Sequence, residues 1–240
     1  GHLLKHCPYR SINMKPISLL YFSSVKNFGD ELNLDLIEKL SGRKCVFGSA
    51  NTCELVAIGS LLEGFLHATG DLKMHIKRLI FPQFNIWGSG FIAPSESKVQ
   101  RPNGKSEIFT RRAKAYAARG KLSLDRMRAM HLVDTSETVL GDPGLLASML
   151  VDGSSGKKPY KVGVIPHYTD KDSPILEQIL NSVPGSHLIS IQQSPVEFLK
   201  ELQKCETVIS SAMHGLIAAD SLFIPRSEER RVGKECATGC

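Results

Sequence analysis

The sequence predicts an α/β protein built from two Rossmann-like units with parallel sheets, joined by a linker. Three observations carry that expectation. Short apolar runs of strand length alternate with helical patterns along the chain, which is the signature of repeated βαβ units. Glycine and polar residues cluster after the strand-like runs, and open parallel sheets bind ligands at that carboxyl edge. The stretch Asp152–Pro159 (DGSSGKKP) has Gly, Ser, Lys and Pro but no core residue, so it reads as a linker.

The first unit is expected over 14–151. Ile17–Phe22 is an apolar strand, followed by the loop Ser23–Asp30 and a helix over Leu32–Leu40. Leu55–Ile58 and Asn85–Trp87 are short strands that end in Gly59-Ser60 and Gly88-Ser89-Gly90. Ala113–Ala118 runs into Arg119-Gly120 and a helix from Ser123, and Val139–Leu140 runs into Gly141-Asp142-Pro143-Gly144. The second unit, over 160–225, repeats the pattern. Its strands are Lys161–Ile165, Ser186–Ile191 and Thr207–Ser210, and its helices Ser173–Asn181, Pro195–Lys204 and His214–Leu222. Two such units suggest an enzyme with its cleft between the lobes.

Both ends break the pattern. Residues 226–240 lack apolar periodicity and resemble the translation of a sequencing-library adapter, so they are expected to be non-native and the second lobe truncated after Pro225. Met14 directly precedes the first strand, and 1–13 are read as upstream of the folded chain. Setting aside Lys5, Arg10 and the four basic and three acidic residues from 226 onward leaves 24 basic and 21 acidic residues, a net charge of +3 rather than +6. That balance is too mild to argue for nucleic acid. The one basic cluster, Arg111-Arg112-Ala113-Lys114, is expected to be a solvated strand edge. Cys45, Cys53 and Cys205 show no metal-like spacing and suit buried apolar positions in a reducing compartment. With no signal-peptide pattern and no run of 18 apolar residues, the expected location is cytoplasmic.

Several motifs carry chemistry. In Asn27-Phe28-Gly29-Asp30 the glycine permits a tight turn, while Asn27 and Asp30 can bond backbone or substrate hydroxyls. The alternative is that Asp30 caps the helix. Gly88-Ser89-Gly90 lacks the third glycine of a dinucleotide fingerprint, and the nicotinamide reading is rejected. Arg119 sits where a guanidinium could fork onto a carboxylate or phosphate; the bland reading is a surface Arg at a turn. Pro166 fixes the turn after a strand, which projects His167 and Tyr168 with Lys171 nearby, and Asp170 and Asp172 are expected to cap the next helix. The sharpest candidate is His214. It follows Ser210-Ser211 and opens a helix, so an imidazole meets unpaired N–H groups and the positive end of a dipole. His67, His75, His131 and His187 stay unassigned.

Asn27-Phe28-Gly29-Asp30, Gly88-Ser89-Gly90, Arg119-Gly120-Lys121-Leu122-Ser123, Gly141-Asp142-Pro143 and Ser211-Ala212-Met213-His214-Gly215 occur in an order that resembles the polysaccharide pyruvyl transferases, over roughly Leu19 to Pro225. The resemblance implies a two-lobed fold like the GT-B glycosyltransferases. It implies phosphoenolpyruvate as donor, a sugar diol of a bacterial surface or exopolysaccharide precursor as acceptor, and a pyruvate ketal as product, with no metal or redox cofactor. By position His214 takes donor contact and general acid catalysis. Many relatives carry a basic residue where this chain has Ala212, so the donor would rely on His167, Lys171, Arg119, Ser211 and Gly215. Asn27 and Asp30 would face the acceptor, a sugar or lipid-linked oligosaccharide, which leaves room for peripheral contact with the inner membrane surface. A nucleotide-sugar glycosyltransferase and a non-catalytic glycan-binding relative are the alternatives.

Overall fold

Asn27 starts the first helix earlier than apolar periodicity alone suggests. Its Oδ1 accepts a hydrogen bond from Gly29 N at 3.0 Å, so α1 runs Phe28–Ser41, with Gly42 in the left-handed conformation (φ 66°) at its end. Asp30 therefore lies inside the first turn and is not the cap. The computed structural model that shows this describes residues 14–22, 27–68, 76, 80–92, 107–130, 132–153 and 156–228. The expectations for 1–13, for most of the tail, and for His75 and His131 fall outside them, as does the side chain of His67.

The fold is α/β with parallel sheets. In the first sheet β1 (Ile17–Leu20) lies between β2 (Cys45–Phe47) and β3 (Leu55–Val56). Beyond β3 come β5 (Phe84–Trp87), β7 (Ala113–Ala118) and β8 (Val133–Asp134), and β9 (Val139–Leu140) also pairs with β7. Every pairing in this sheet is parallel. A side ribbon pairs β4 (Leu66–Ala68) antiparallel with β6 (Glu107–Phe109). Strand β2, the ribbon and the 3₁₀ segments Leu62–Phe65 and Pro143–Leu150 were not expected from the sequence. Helix α2 (Lys121–Arg128) follows β7.

The second sheet has the order β11 (Ser186–Leu188), β10 (Tyr160–Ile165), β12 (Cys205–Ser210), β13 (Arg226–Glu228), all parallel. Its helices are α3 (Pro174–Ser182), α4 (Pro195–Leu202) and α5 (Met213–Ser221). The expected boundary at Pro225 falls one residue short of β13, whose Arg226 also forms two bonds to the carboxylate of Asp220, at 2.9 and 2.8 Å.

Helix α1 belongs to the first unit by sequence but has two apolar stripes. Ile37 packs with Ile17, Leu19 and Ala57 under the first sheet. Phe28, Leu32 and Leu36, spaced by four, share a core with Ile165, Ile189, Phe198, Leu199 and Val208 of the second unit. The Phe28 ring lies 4.3 Å from that of Phe198, and Phe28 N donates to Ile191 O at 2.8 Å. Burial of three such side chains stabilises the junction by about 2 kcal/mol each. Asn33, fully buried on the same helix, accepts from Ile58 N at 2.8 Å and donates to Ile58 O at 3.0 Å, which ties α1 to the end of β3.

The basic cluster before β7 departs from expectation. Arg112 is exposed, but Arg111 has no exposed surface at all. Its guanidinium donates to Ala50 O, Cys53 O and Pro82 O at 2.7–3.0 Å and stands 5.1 Å above the Phe84 ring. Three carbonyls at a loop crossing need donors, and a planar five-donor group supplies them. Cys45, Cys53 and Cys205 are all unbridged, and burial pushes the Cys205 thiol up to about 11.

Candidate active site

The first turns of α1 and α5, Arg119 at the end of β7 and Asp142 after β9 meet around His214. Gly29 is the contact point. A Cβ at that position would stand 2.0 Å from His214 Nδ1 and 2.3 Å from Cγ, so the imidazole lies directly against the bare backbone of α1. The glycine of the Asn27–Asp30 motif is thus required by a side chain from the other lobe. Gly29→Ala is expected to displace the ring and lower kcat/KM about 100-fold, the scale of a 1 Å misplacement. Gly64→Ala, where an added methyl meets only open space, is the control for steady-state assays of both variants.

Arg119 reaches the same edge from the end of β7. Its Nη2 donates to Ser60 Oγ at 2.7 Å and to Phe91 O at 3.0 Å, and a Cβ on Gly90 would come within 2.7 Å of that nitrogen. Gly90 N donates to Gly59 O at 3.1 Å, and so does Ser89 Oγ at 2.8 Å. Gly88-Ser89-Gly90 therefore serves close packing of Arg119 and of Pro143, whose Cδ would lie 2.0 Å from a Cβ on Gly88.

The titration of the site follows from burial. His214 keeps part of its surface open, but Nε2 is sealed from solvent. Burial holds its pKa below the ordinary 6.5; the Asp142 charge opposes this and the Arg119 charge adds to it. The imidazole is therefore neutral at pH 7. Burial, helped by Glu31, raises the Asp30 carboxyl to about 6. A folded-state value above the unfolded one means that stability falls as pH rises from about 4 to 6. Asp30→Asn should remove this slope and gain about 1–2 kcal/mol over the parent at pH 8, after allowance for solvent screening. Urea unfolding at pH 4 and pH 8 would measure it.

The other expected residues form a second group. Ser211 Oγ accepts from His167 N at 2.9 Å and donates to Asp170 Oδ2 at 3.3 Å, while His167 Nδ1 lies 2.9 Å from Thr169 Oγ1. Asp170 thus joins the strand ends of β10 and β12. Helix α3 is instead preceded by Ser173, without a side-chain cap bond. Lys171 is exposed on the loop between β10 and α3. Gly215 faces the sheet, where a Cβ would meet Ser210 Oγ at 2.6 Å, so its small size serves packing. Asn27 spends its Oδ1 on the cap. Ala212 is buried at the start of α5, and its N–H donates to Ser210 Oγ at 3.0 Å. Sequence reasoning gave Asp142, Asn33 and Ser60 no separate roles; the Gly141-Asp142-Pro143 turn was the available signal for the first.

A family model described as polysaccharide pyruvyl transferase matches residues 27–226, which span every element of this site. The chain belongs to that family. An uncharacterized protein of Acanthamoeba polyphaga mimivirus is 29% identical to this pyruvyl transferase relative over 220 residues, covering 88% of the chain and 66% of the viral protein. The chain thus spans just under two thirds of that protein's length. No solved structure matches it. Among the described residues, no helix is long and apolar enough to cross a membrane.

Proposed function

We propose that this chain transfers the pyruvyl group of phosphoenolpyruvate to two hydroxyls of a sugar, forming a pyruvate ketal and releasing phosphate. The observation that carries this reading is the His214 imidazole, seated on Gly29 beside Arg119 at the carboxyl edge of a parallel sheet. The donor bears a phosphate and a carboxylate, and Arg119 with the α5 N-terminus supplies cationic and N–H character for them. His214 delivers a proton to the enol methylene, which becomes the methyl group, as the first hydroxyl adds to the adjacent carbon. Phosphate then leaves and the second hydroxyl closes the ring. Of the two hydroxyl protons, one replaces that delivered to carbon and the other leaves with phosphate. In this reading Asp30, with its carboxyl near 6, accepts a hydroxyl proton. These are acid–base steps and need no metal or redox cofactor.

The acceptor is a sugar or lipid-linked oligosaccharide, and the setting is the cytoplasm, with contact at the membrane surface where the acceptor is lipid-linked. Phosphate release from phosphoenolpyruvate, dependent on an added diol glycan, tests the reading. A rise in melting temperature with nucleotide sugars and none with phosphoenolpyruvate would overturn it in favour of glycosyl transfer.

A further inference from the structure

Oδ2 of Asp142 and Nε2 of His214 are buried at this site with no hydrogen-bond partner among the described residues. Native structures leave few such atoms unpaired, and a pair at one site calls for an explanation. The carboxylate is not free to turn towards solvent. Asp142 is 8% exposed, and its other oxygen, Oδ1, accepts from Gly144 N at 2.8 Å. The turn itself is wedged. Gly88, at φ 88°, admits Pro143, and a Cβ on Gly144 would stand 2.9 Å from Ile217, three residues beyond His214 on α5. The charged groups that act on the imidazole are Asp142 on this turn and Arg119 at the end of β7. Asp142 favours the imidazolium, whereas Arg119 disfavours it.

We propose that Asp142 is a positioning residue for His214, whose Oδ2 accepts a hydrogen bond from Nε2–H, directly or through one water, as the imidazole is protonated. The bond fixes the tautomer and leaves Nδ1 to exchange the proton with the substrate. This assignment rests on the acid–base role given to His214 above. It explains why two opposite orphans are sealed in one place: each is the other's partner in the charged state.

The test reads His214 without substrate. Imidazole nitrogen NMR of the full chain should show the Nε2–H tautomer at neutral pH; an Nδ1–H tautomer would overturn the assignment. Asp142→Asn keeps an oxygen for Gly144 N but removes the charge. It should lower the His214 titration further, and lower kcat about 100-fold with KM for phosphoenolpyruvate unchanged. An unshifted titration and kcat in a folded variant would also overturn it. The tautomer is read on the unsubstituted chain, so the proposal stays exposed to refutation if Asp142→Asn does not fold. With the Nε2–H tautomer and the shifted titration in place, absent phosphate release would count against pyruvyl transfer and still support the pairing.

Discussion

His214→Asn is expected to reduce phosphate release from phosphoenolpyruvate by about 10³-fold or more. General acid–base catalysis alone accounts for about 10²–10⁴, and the amide that replaces the imidazole cannot carry the proton. The loss should fall mainly on kcat, with a smaller rise in KM for the donor, because Arg119 and the α5 N-terminus remain while the imidazolium's share of anion binding is lost. A second readout separates chemistry from mere disruption. The imidazole is neutral at pH 7 because burial holds its pKa below 6.5. Arrival of a multiply charged anion favours its protonation, so donor binding near pH 7 should take up a proton. Calorimetry in two buffers of different ionisation enthalpy measures that uptake, and it should vanish in His214→Asn. Full activity in the variant would remove His214 from the mechanism.

Arg111→Met carries the largest expected effect on stability, a loss of about 4 kcal/mol or more. The methionine fills a similar volume, so the effect isolates the hydrogen bonds. Three backbone carbonyls, of Ala50, Cys53 and Pro82, lose their donors around a side chain that has no exposed surface, and an unsatisfied buried acceptor costs about 1–3 kcal/mol. Against a typical total of about 5–15 kcal/mol, that is enough to depress expression. The midpoint of urea unfolding measures it directly. Arg111→Lys should rescue little, since an ammonium cannot span three acceptors in the plane of a guanidinium. A variant that unfolds at the parent's urea concentration would show that the carbonyls find other partners.

The sequence made the second unit legible almost element by element. Strands β10, β11 and β12 lie in apolar runs bounded by turn residues, and Ser173-Pro174 and Ser194-Pro195 mark two helix starts, whereas β13 is the polar run Arg226–Glu228 and gave no such signal. The ordered motifs likewise placed Gly29, Arg119, Asp142 and His214 at strand or helix ends. What escaped was set by tertiary contact. A three-residue edge strand such as β2 has no periodicity to read. Arg111 reads as solvated because nothing local announces carbonyls contributed by residues up to 61 positions away. The role of Gly29 is invisible without His214, 185 positions along the chain. The grouping of Asp170 with Ser211 depends on β10 lying beside β12, which propensity cannot convey.

The position of α1 has a consequence for how the molecule comes apart. Its strand partners lie in one unit and most of its buried side chains in the other. Separating the units would bare Phe28, Leu32 and Leu36 together with the surface they cover. A chain cut in the Asp152–Pro159 segment should therefore behave as two fragments that hold each other by a shared helix, and heat should melt both in a single transition. His214 and Gly29 come from opposite sides of that cut. The histidine setting therefore exists only while the two sides are docked.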